Sequence, residues 1–378
     1  MLMAVFFACV FGCKNSESPS PTNSCSSPKV IIVDASFDFT KPVTFRACSV
    51  YYFNAQNQYS IQATLTIEAG AILKFPNTGT PFIILTSGNG KILSNGTKEN
   101  PVIFTSDKDD TIGGDTNNDG STTKPAVGDW SYIALNAKGS TFKYTQFLYN
   151  GSGSGTALFE ITVDDIAFDN CTFAHCKGSS AIDGRGVLSY SGAVASAPVT
   201  NCIFYDNIKP WTIYYNMSVE GSNVFHNPVD PTQKNIYNGI FVEATSNGAG
   251  PAVSWLENEV PFVYHAFYHT QPIAAVYGNA EPVMFTIAAG TIIKFVATGP
   301  DFGPGITIRS DNSQIVGKDL AGVFFTSYKD DAHGGDTNAD GNATSPASGD
   351  WDGVYDAAAK INPPNHYYSW GNILYAKN

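Results

Sequence analysis

The sequence has few charged residues and almost no arginine. Charged residues make up 14% of the 378 positions, well below the roughly 25% of an average globular chain. Only three arginines are present, and the formal net charge is −12. Such a chain is not expected to bind nucleic acid, because phosphate recognition depends on clustered Lys and Arg. The low charge content also excludes a coiled coil and argues against a charge-rich disordered chain.

Helix-forming patterns are equally scarce. The chain has only twelve leucines, and no segment repeats apolar residues at helical spacing over three turns. It has instead 35 glycines, 13% aromatic residues and many short runs of β-branched and aromatic residues, broken by Gly, Asn, Asp and Pro. Such runs predict many short strands, and therefore an all-β protein.

The N-terminus is typical of an exported protein. Residues 1–12 are apolar and uncharged, too short for a membrane span of about 20 residues, and a Ser/Pro/Asn-rich run follows Cys13. The step Val10-Phe11-Gly12-Cys13 resembles a relaxed bacterial lipobox, although no basic residue precedes it. We therefore expect lipidation of Cys13, with an ordinary cleaved signal as the alternative. The predicted location is the outer membrane or cell surface, held only by the lipid anchor, or otherwise secretion.

A long internal repeat organises the chain. Segments of the first half recur in the second half in the same order, and their spacing shifts by only one residue. The matched pairs are residues 65–75 with 285–295, 104–110 with 325–331, 113–120 with 334–341, and 125–130 with 346–351. Chance does not produce such ordered matches, so the chain contains a duplicated module whose second copy is partial.

A shorter pattern lies between the two copies. Residues 168–173 and 199–204 share an arrangement of apolar, polar, Asn, Cys, any residue and Phe, and residues 221–225 form a weaker third member. Short repeats with Asn at the turn predict a β-solenoid, in which like residues stack along the axis. Cys171 and Cys202 would then be core neighbours, and we interpret them as small apolar fillers rather than as a disulfide or a metal site.

The phrase LTIEAGAILKF at residues 65–75, followed by NPVIFTS and GDW, resembles secreted bacterial right-handed parallel β-helix proteins of the pectin-lyase-like architecture. The resemblance covers about residues 61–225 and again 283–378. It implies a right-handed parallel β-helix, or β-solenoid. It implies little about activity, because this scaffold carries lyases, hydrolases, adhesins and proteins of unknown role.

The repeat and the composition divide the chain into six parts. The predicted parts are a signal peptide (1–13), a tether (14–28), an N-terminal cap (29–60), a first β-helix module (61–225), a connecting segment (226–262) and a second module (263–378). The connecting segment holds four prolines and is the natural place for a break. Whether the modules form one continuous helix or two bodies stays open at this point.

Each copy inserts a long acidic loop with part of a calcium-binding pattern. The spacing D-x-N-x-D-G occurs in both, and alternate acidic and amide side chains on a tight turn direct oxygens to one point, as Ca²⁺ requires. The Glu that completes such a loop is absent, so neighbouring acids must contribute; an ordinary polar turn is the alternative. The predicted ligands of two structural Ca²⁺ sites are Asp115, Asn117, Asp119, Asp109, Asp110 and Asp129, and in the second copy Asp336, Asn338, Asp340, Asp330, Asp331 and Asp350.

These loops account for most of the net charge. Residues 107–130 hold six Asp and two Lys, a net of −4, and residues 328–352 hold six Asp and one Lys, a net of −5. The two windows together carry −9 of the −12. The acidity is therefore local. Trp130 and Trp351 follow the loops directly, and we interpret them as core anchors rather than as sugar-stacking platforms.

Candidate catalytic groups are few. Asp164-Asp165 and the pair Asp183 and Arg185 offer acids, but the chain has neither the Gly-His-Gly nor the Arg-x-Lys motif of the hydrolases of this architecture. His265 and His269 lie in an aromatic stretch that favours a strand, where their spacing is too long for one metal ion. We therefore favour a non-catalytic protein, although the sequence does not decide whether it is an enzyme.

The predicted function is display or binding at the cell surface, with extended polysaccharide or host matrix as the partner. A solenoid offers long flat faces that suit such ligands. The alternative is a polysaccharide lyase or glycoside hydrolase on the same scaffold.

Overall fold

The structure, a computed structural model, describes residues 28–54, 58–76, 83–151, 157–179, 185–190, 198–243, 252–265, 284–296, 305–308, 314–356 and 366–377. All structural statements refer to these ranges. Every regular element in them is a short β-strand, as the composition predicts. None of the described residues forms a helix that is both long and apolar enough to cross a membrane.

The strands in chain order are β1 (Lys29–Val33), β2 (Val43–Phe45), β3 (Ser49–Phe53), β4 (Gln58–Ile61), β5 (Thr64–Glu68), β6 (Ile72–Phe75), β7 (Ile83–Thr86), β8 (Lys91–Asn95), β9 (Val102–Ser106), β10 (Tyr132–Leu135), β11 (Thr141–Lys143), β12 (Thr145–Leu148), β13 (Phe159–Ile161), β14 (Ala167–Asp169), β15 (Thr172–Ala174), β16 (Leu188–Tyr190), β17 (Val199–Thr200), β18 (Ile203–Tyr205), β19 (Trp211–Tyr214), β20 (Ile240–Glu243), β21 (Ala252–Trp255), β22 (Phe262–His265), β23 (Met284–Ile287), β24 (Ile292–Phe295), β25 (Gly305–Ile308), β26 (Gln314–Val316), β27 (Phe324–Ser327), β28 (Gly353–Asp356) and β29 (His366–Tyr367).

These strands form five sheets. Sheet A has the order β1-β3-β6-β9-β12-β15-β18, sheet B β17-β14-β11-β8-β5-β2, and sheet C β27-β24-β22-β20-β19-β16-β13-β10-β7-β4. Two small sheets, D (β21-β23-β26) and E (β25-β28-β29), belong to the second half. Among the described strands, every pair is parallel except β28 with β29.

The connections between sheets make the fold a parallel β-helix. Strands β5, β6 and β7 lie in sheets B, A and C, and β8, β9 and β10 visit the same sheets in the same order. From β2 to β16, each strand therefore pairs in parallel with the strand three places later in the chain, which lies one coil further on, as β5 does with β8. This confirms the predicted all-β solenoid architecture.

Sheet C runs through both copies of the repeat. It extends from β4 to β27, and β20, which lies within the proposed connecting segment, is one of its strands. The equivalent strands of the two copies nevertheless occupy different sheets, because β6 belongs to sheet A and its counterpart β24 to sheet C. The second copy therefore keeps the local fold of the first but continues a different face.

Aromatic side chains stack along the axis of the core. Phe147, Phe173 and Phe204 are register partners in successive coils of sheet A, and their ring centroids lie 5.2 and 4.8 Å apart. These distances match the spacing between neighbouring strands, so identical residues meet face to face. Cys171 and Cys202 are buried free thiols, as the interpretation of core fillers predicts, and Cys176 is a third.

Asparagine occupies the turn between sheets B and A, as predicted. Asn170 and Asn201 have φ of 55° and 54°, in the left-handed region that Asn tolerates better than most residues. At the next turn of each coil, Asn207 and Asn235 stack inside the core. The Asn207 Nδ2 donates to the Asn235 Oδ1 at 2.8 Å and to the Phe173 carbonyl at 2.8 Å, and its Oδ1 accepts from the Cys176 amide at 3.0 Å.

Asn207→Leu is expected to destabilise the protein strongly. Asn207 is fully buried, and leucine would remove all three of these hydrogen bonds, at a cost of about 1–3 kcal/mol for each polar group left unpaired. Denaturant unfolding followed by circular dichroism would measure the loss. The matched control is Asn95→Leu at the exposed end of β8. Equal stabilities of the two variants would contradict this role for Asn207.

Candidate metal sites in the two acidic loops

The first acidic loop (residues 107–130) joins β9 to β10, and the second (residues 328–352) joins β27 to β28. The first loop folds over the outer surface of sheet A, where Ile112 packs against a small apolar cluster of Val50, Ile72, Ile103, Leu148 and Ala174. A Gly-Gly-Asp step lets each loop lie this close to its sheet. A Cβ on Gly113, whose φ is +76°, would lie 2.9 Å from the Val50 side chain.

Each loop gathers three of its aspartates. One oxygen from each of Asp110, Asp115 and Asp119 lies within 4.8 Å of the others, and Asp331, Asp336 and Asp340 form the same group in the second loop. We call these the first and second carboxylate trio. Like charges this close repel unless a cation or a proton joins them.

Backbone amides fix the shape of each trio. The Asp115 carboxylate accepts from the amides of Asp119 at 3.2 Å and Gly120 at 3.0 Å. The Asp336 carboxylate accepts from the equivalent amides of Asp340 at 3.1 Å and Gly341 at 2.9 Å. The two loops therefore hold their middle carboxylate in the same way.

Some oxygens of the trios are buried without a hydrogen-bond partner in the described part of the chain. They are Oδ1 of Asp110 and Oδ1 of Asp331, together with Oδ1 of the predicted ligand Asn338. Burial raises the pKa of Asp331, and the negative charge of Asp336 raises it further. Orphaned oxygens beside like charges are the electrostatic setting in which a bound cation is most favourable.

Asn117 and Asn338 lie beside the trios. The Asn117 Nδ2 donates to Asp119 Oδ2 at 3.1 Å, and the Asn338 Nδ2 donates to Asp340 Oδ2 at 2.9 Å. Thr123 and Thr344 also donate their hydroxyls to these aspartates. Hydrogen bonds from the Thr123 hydroxyl and the neighbouring amides keep the pKa of Asp119 below its usual value.

One predicted ligand in each loop, Asp109 or Asp330, instead holds the start of that loop. Asp109 accepts from the hydroxyls of Thr105 at 2.9 Å and Thr111 at 2.6 Å. Asp330 accepts from Thr326 at 2.6 Å and from the His333 Nδ1 at 2.7 Å. The structure does not bring Asp109 or Asp330 into the trios.

Asp129 and Asp350 hold the end of each loop, and they also lie outside the trios. Asp129 accepts from the Ser106 hydroxyl at 2.8 Å and pairs with the Lys108 ammonium at 2.7 Å. Asp350 makes the same contacts with Ser327 at 2.6 Å and Lys329 at 2.8 Å. Burial opposes ionisation of Asp350, but these hydrogen bonds outweigh it and lower the pKa.

Two fully buried lysines support the loops from below. Lys74 projects from β6 and donates to the carbonyls of Asp109 at 2.8 Å and Gly114 at 2.5 Å. Lys294 projects from β24 and donates to the Gly335 carbonyl at 2.6 Å and the Thr337 hydroxyl at 2.9 Å. Burial lowers the pKa of both, that of Lys294 to about 8. The sequence signal that could have identified these two residues is a lysine at the same position of an apolar strand in both copies.

The tryptophans that follow the loops lie in the core, as predicted. Trp130 stacks on Phe75 with ring centroids 4.5 Å apart, and Trp351 stacks on Phe295 at 4.1 Å. Both are 1% exposed. This excludes them as surface platforms for sugar rings.

The remaining candidate catalytic residues lie in the part of the chain between the two acidic loops. Arg185 pairs with Glu160 at 2.7 Å, and Asp165 is exposed at a turn with φ of 66°. Asp183 and His269 lie outside the described residues, as does the side chain of His265. Cys13 and the predicted signal and tether also fall outside them, except for Pro28.

One family model matches the chain, the pectate-lyase-like β-helix domain, over residues 38–153. The match includes the first acidic loop and supports the resemblance seen in the sequence. No curated protein and no solved structure shows significant similarity to the chain. The matched domain and the parallel sheets together identify a parallel β-helix protein.

Proposed function

We propose that this protein is a non-catalytic cell-surface β-helix whose two acidic loops bind Ca²⁺ and whose faces display or bind an extended ligand. The observation that carries the metal assignment is the recurrence of the carboxylate trio at the same place in both copies. Strand pairing does not require three aspartates to converge in an exposed loop, whereas a bound cation would stabilise their close approach.

The donor set favours Ca²⁺ over other common ions. Carboxylate and amide oxygens are hard ligands, and Ca²⁺ accepts six to eight of them in flexible geometry. Asp110, Asp115 and Asp119 would supply three carboxylates. Asn117, whose side chain lies beside Asp119, would add its amide oxygen. Mg²⁺ demands a tighter octahedral arrangement. Cysteine and histidine, which Zn²⁺ favours, are absent from the two trios.

A binding role is supported by how the acidic side chains are used. In each loop, carboxylates accept hydrogen bonds from the backbone of their own loop, so the trio serves loop architecture first. The face of a long parallel sheet suits a polymer such as polysaccharide or host matrix. The alternative, a lyase or hydrolase, draws on the matched pectate-lyase-like domain.

One experiment separates the binding and enzymatic functions. The purified chain is incubated with a panel of uronates and glucans in Ca²⁺ or in EDTA, and both retention on immobilised polymer and product release are measured. The proposal expects retention without release of reducing sugar or of unsaturated products. Steady release that follows enzyme concentration would establish the alternative.

We further propose export with a lipid anchor on Cys13. The disulfide at Cys48 supports this location, because disulfides persist outside the cytosol. Two or more acyl chains would give lasting attachment. Labelled palmitate should be incorporated by the natural chain and not by Cys13→Ser. Equal labelling of the two would contradict the anchor.

Cys48 is expected to differ from the core thiols in alkylation. In denaturant without reductant, iodoacetamide should label Cys171, Cys176 and Cys202 and leave Cys48 unlabelled, because Cys48 alone of these four described cysteines is disulfide-bonded. Peptide mapping before and after reduction measures this directly. Labelling of Cys48 before reduction would remove this support for export.

A further inference from the structure

The two buried lysines stand at equivalent points beneath the two loops. Each lies on the outward side of its strand, a position that is normally solvated, and each becomes fully buried because the acidic loop covers it. Burying an ammonium is costly unless polar groups surround it, so its retention in both copies calls for a role. In each of the hydrogen bonds described above, the lysine ammonium group donates to an atom of its acidic loop.

The atoms that the lysines bind adjoin the carboxylate trios. Gly114 immediately precedes Asp115, and Asp109 immediately precedes Asp110, so Lys74 holds the backbone next to two members of the first trio. In the second loop, Gly335 immediately precedes Asp336, and Lys294 holds its carbonyl in the same way. The lysines therefore fix the backbone from which the trio side chains project.

We infer that Lys74 and Lys294 are positioning residues, which keep the acidic loops folded on the sheet and the carboxylate trios assembled with or without a divalent ion. The ion-binding half of this inference rests on the proposed function. A positioning role and a purely electrostatic role make opposite predictions. Loss of a nearby positive charge would strengthen cation binding, whereas loss of the anchor would weaken it.

Lys74→Met tests the inference, with the second loop as an internal control. Hydrogen exchange of residues 107–130 in EDTA should become faster than in the natural chain, while residues 328–352 stay unchanged. Ca²⁺ affinity of the first loop should fall by about 10–100-fold, the usual effect of losing a supporting partner of a metal ligand. Lys124→Met removes the same charge from an exposed site of the same loop and should change neither reading.

The outcomes separate the two ideas. Unchanged exchange together with unchanged or tighter Ca²⁺ binding in Lys74→Met would overturn the positioning role. Failure of the natural chain to bind Ca²⁺ would overturn the metal proposal alone, because the exchange in EDTA still tests the anchor. If Lys74→Met does not fold, Thr337→Val offers a milder test, since it removes one of the two acceptors of Lys294, together with the hydrogen bond from the Thr337 hydroxyl to the Gly335 carbonyl, and should speed exchange in residues 328–352.

Discussion

Trp130→Ala is expected to lower the free energy of unfolding by about 3–5 kcal/mol, the usual cost of emptying a buried tryptophan site. The indole is 1% exposed and stacks on Phe75. Its Nε1 donates to the Leu148 carbonyl at 2.7 Å. The backbone of Trp130 also forms a parallel β-bridge with Asn150 in the next coil. The truncation would therefore leave a cavity and an unpaired carbonyl where the loop rejoins the helix.

Two matched variants show whether the coil position matters. Trp351 makes the same set of contacts, with Phe295 and with the Leu374 carbonyl, but near the C-terminal end of the described helix. Because solenoid coils couple mainly to their neighbours, Trp351→Ala should loosen that end and cost less globally. Trp370 is only partly buried, so Trp370→Ala should cost least. A loss below about 1 kcal/mol for Trp130→Ala would contradict its role as an anchor.

Strands and turns of this fold can be predicted because their signals are local. The apolar and β-branched side chains of Ile72–Phe75 favour a strand by themselves. Asn170 and Asn201 likewise favour the left-handed turn conformation in which they lie. The choice of sheet is not local. Strands β6 and β24 have nearly the same sequence and lie in different sheets, because the chain between the copies sets the coil on which each one stacks.

The candidate metal site likewise has one part that local sequence predicts and another part that depends on the folded loop. The D-x-N-x-D spacing predicts that Asp115 and Asp119 converge, and their carboxylates do lie together, since both residues belong to one tight turn. The spacing cannot choose between the adjacent Asp109 and Asp110. Asp109 accepts hydrogen bonds from the hydroxyls of Thr105 and Thr111, whereas Asp110 belongs to the trio. Lys74 escapes prediction because a lysine on the outer side of a strand is ordinarily exposed, and only the folded loop buries it.

Calcium is expected to raise the unfolding temperature of the natural chain after EDTA treatment. A ligand that binds only the folded state adds about 2.7 kcal/mol of stability at 100 times its Kd for each site. Asp115→Asn and Asp336→Asn should each remove one site from a calcium titration, and the double variant both. Asp319→Asn, an exposed acid outside the two loops, is the control and should behave as the natural chain does.

The sign of the effect without calcium makes this test specific. In EDTA the three carboxylates repel one another, so Asp115→Asn should unfold at the same temperature as the natural chain or slightly higher. In saturating Ca²⁺ the order should reverse, because the variant has lost a charged ligand. A carboxylate that only caps the turn through the amides of Asp119 and Gly120 would instead lower stability equally in both conditions. That result, or a natural chain indifferent to Ca²⁺, would show that the trios are polar turns and not metal sites.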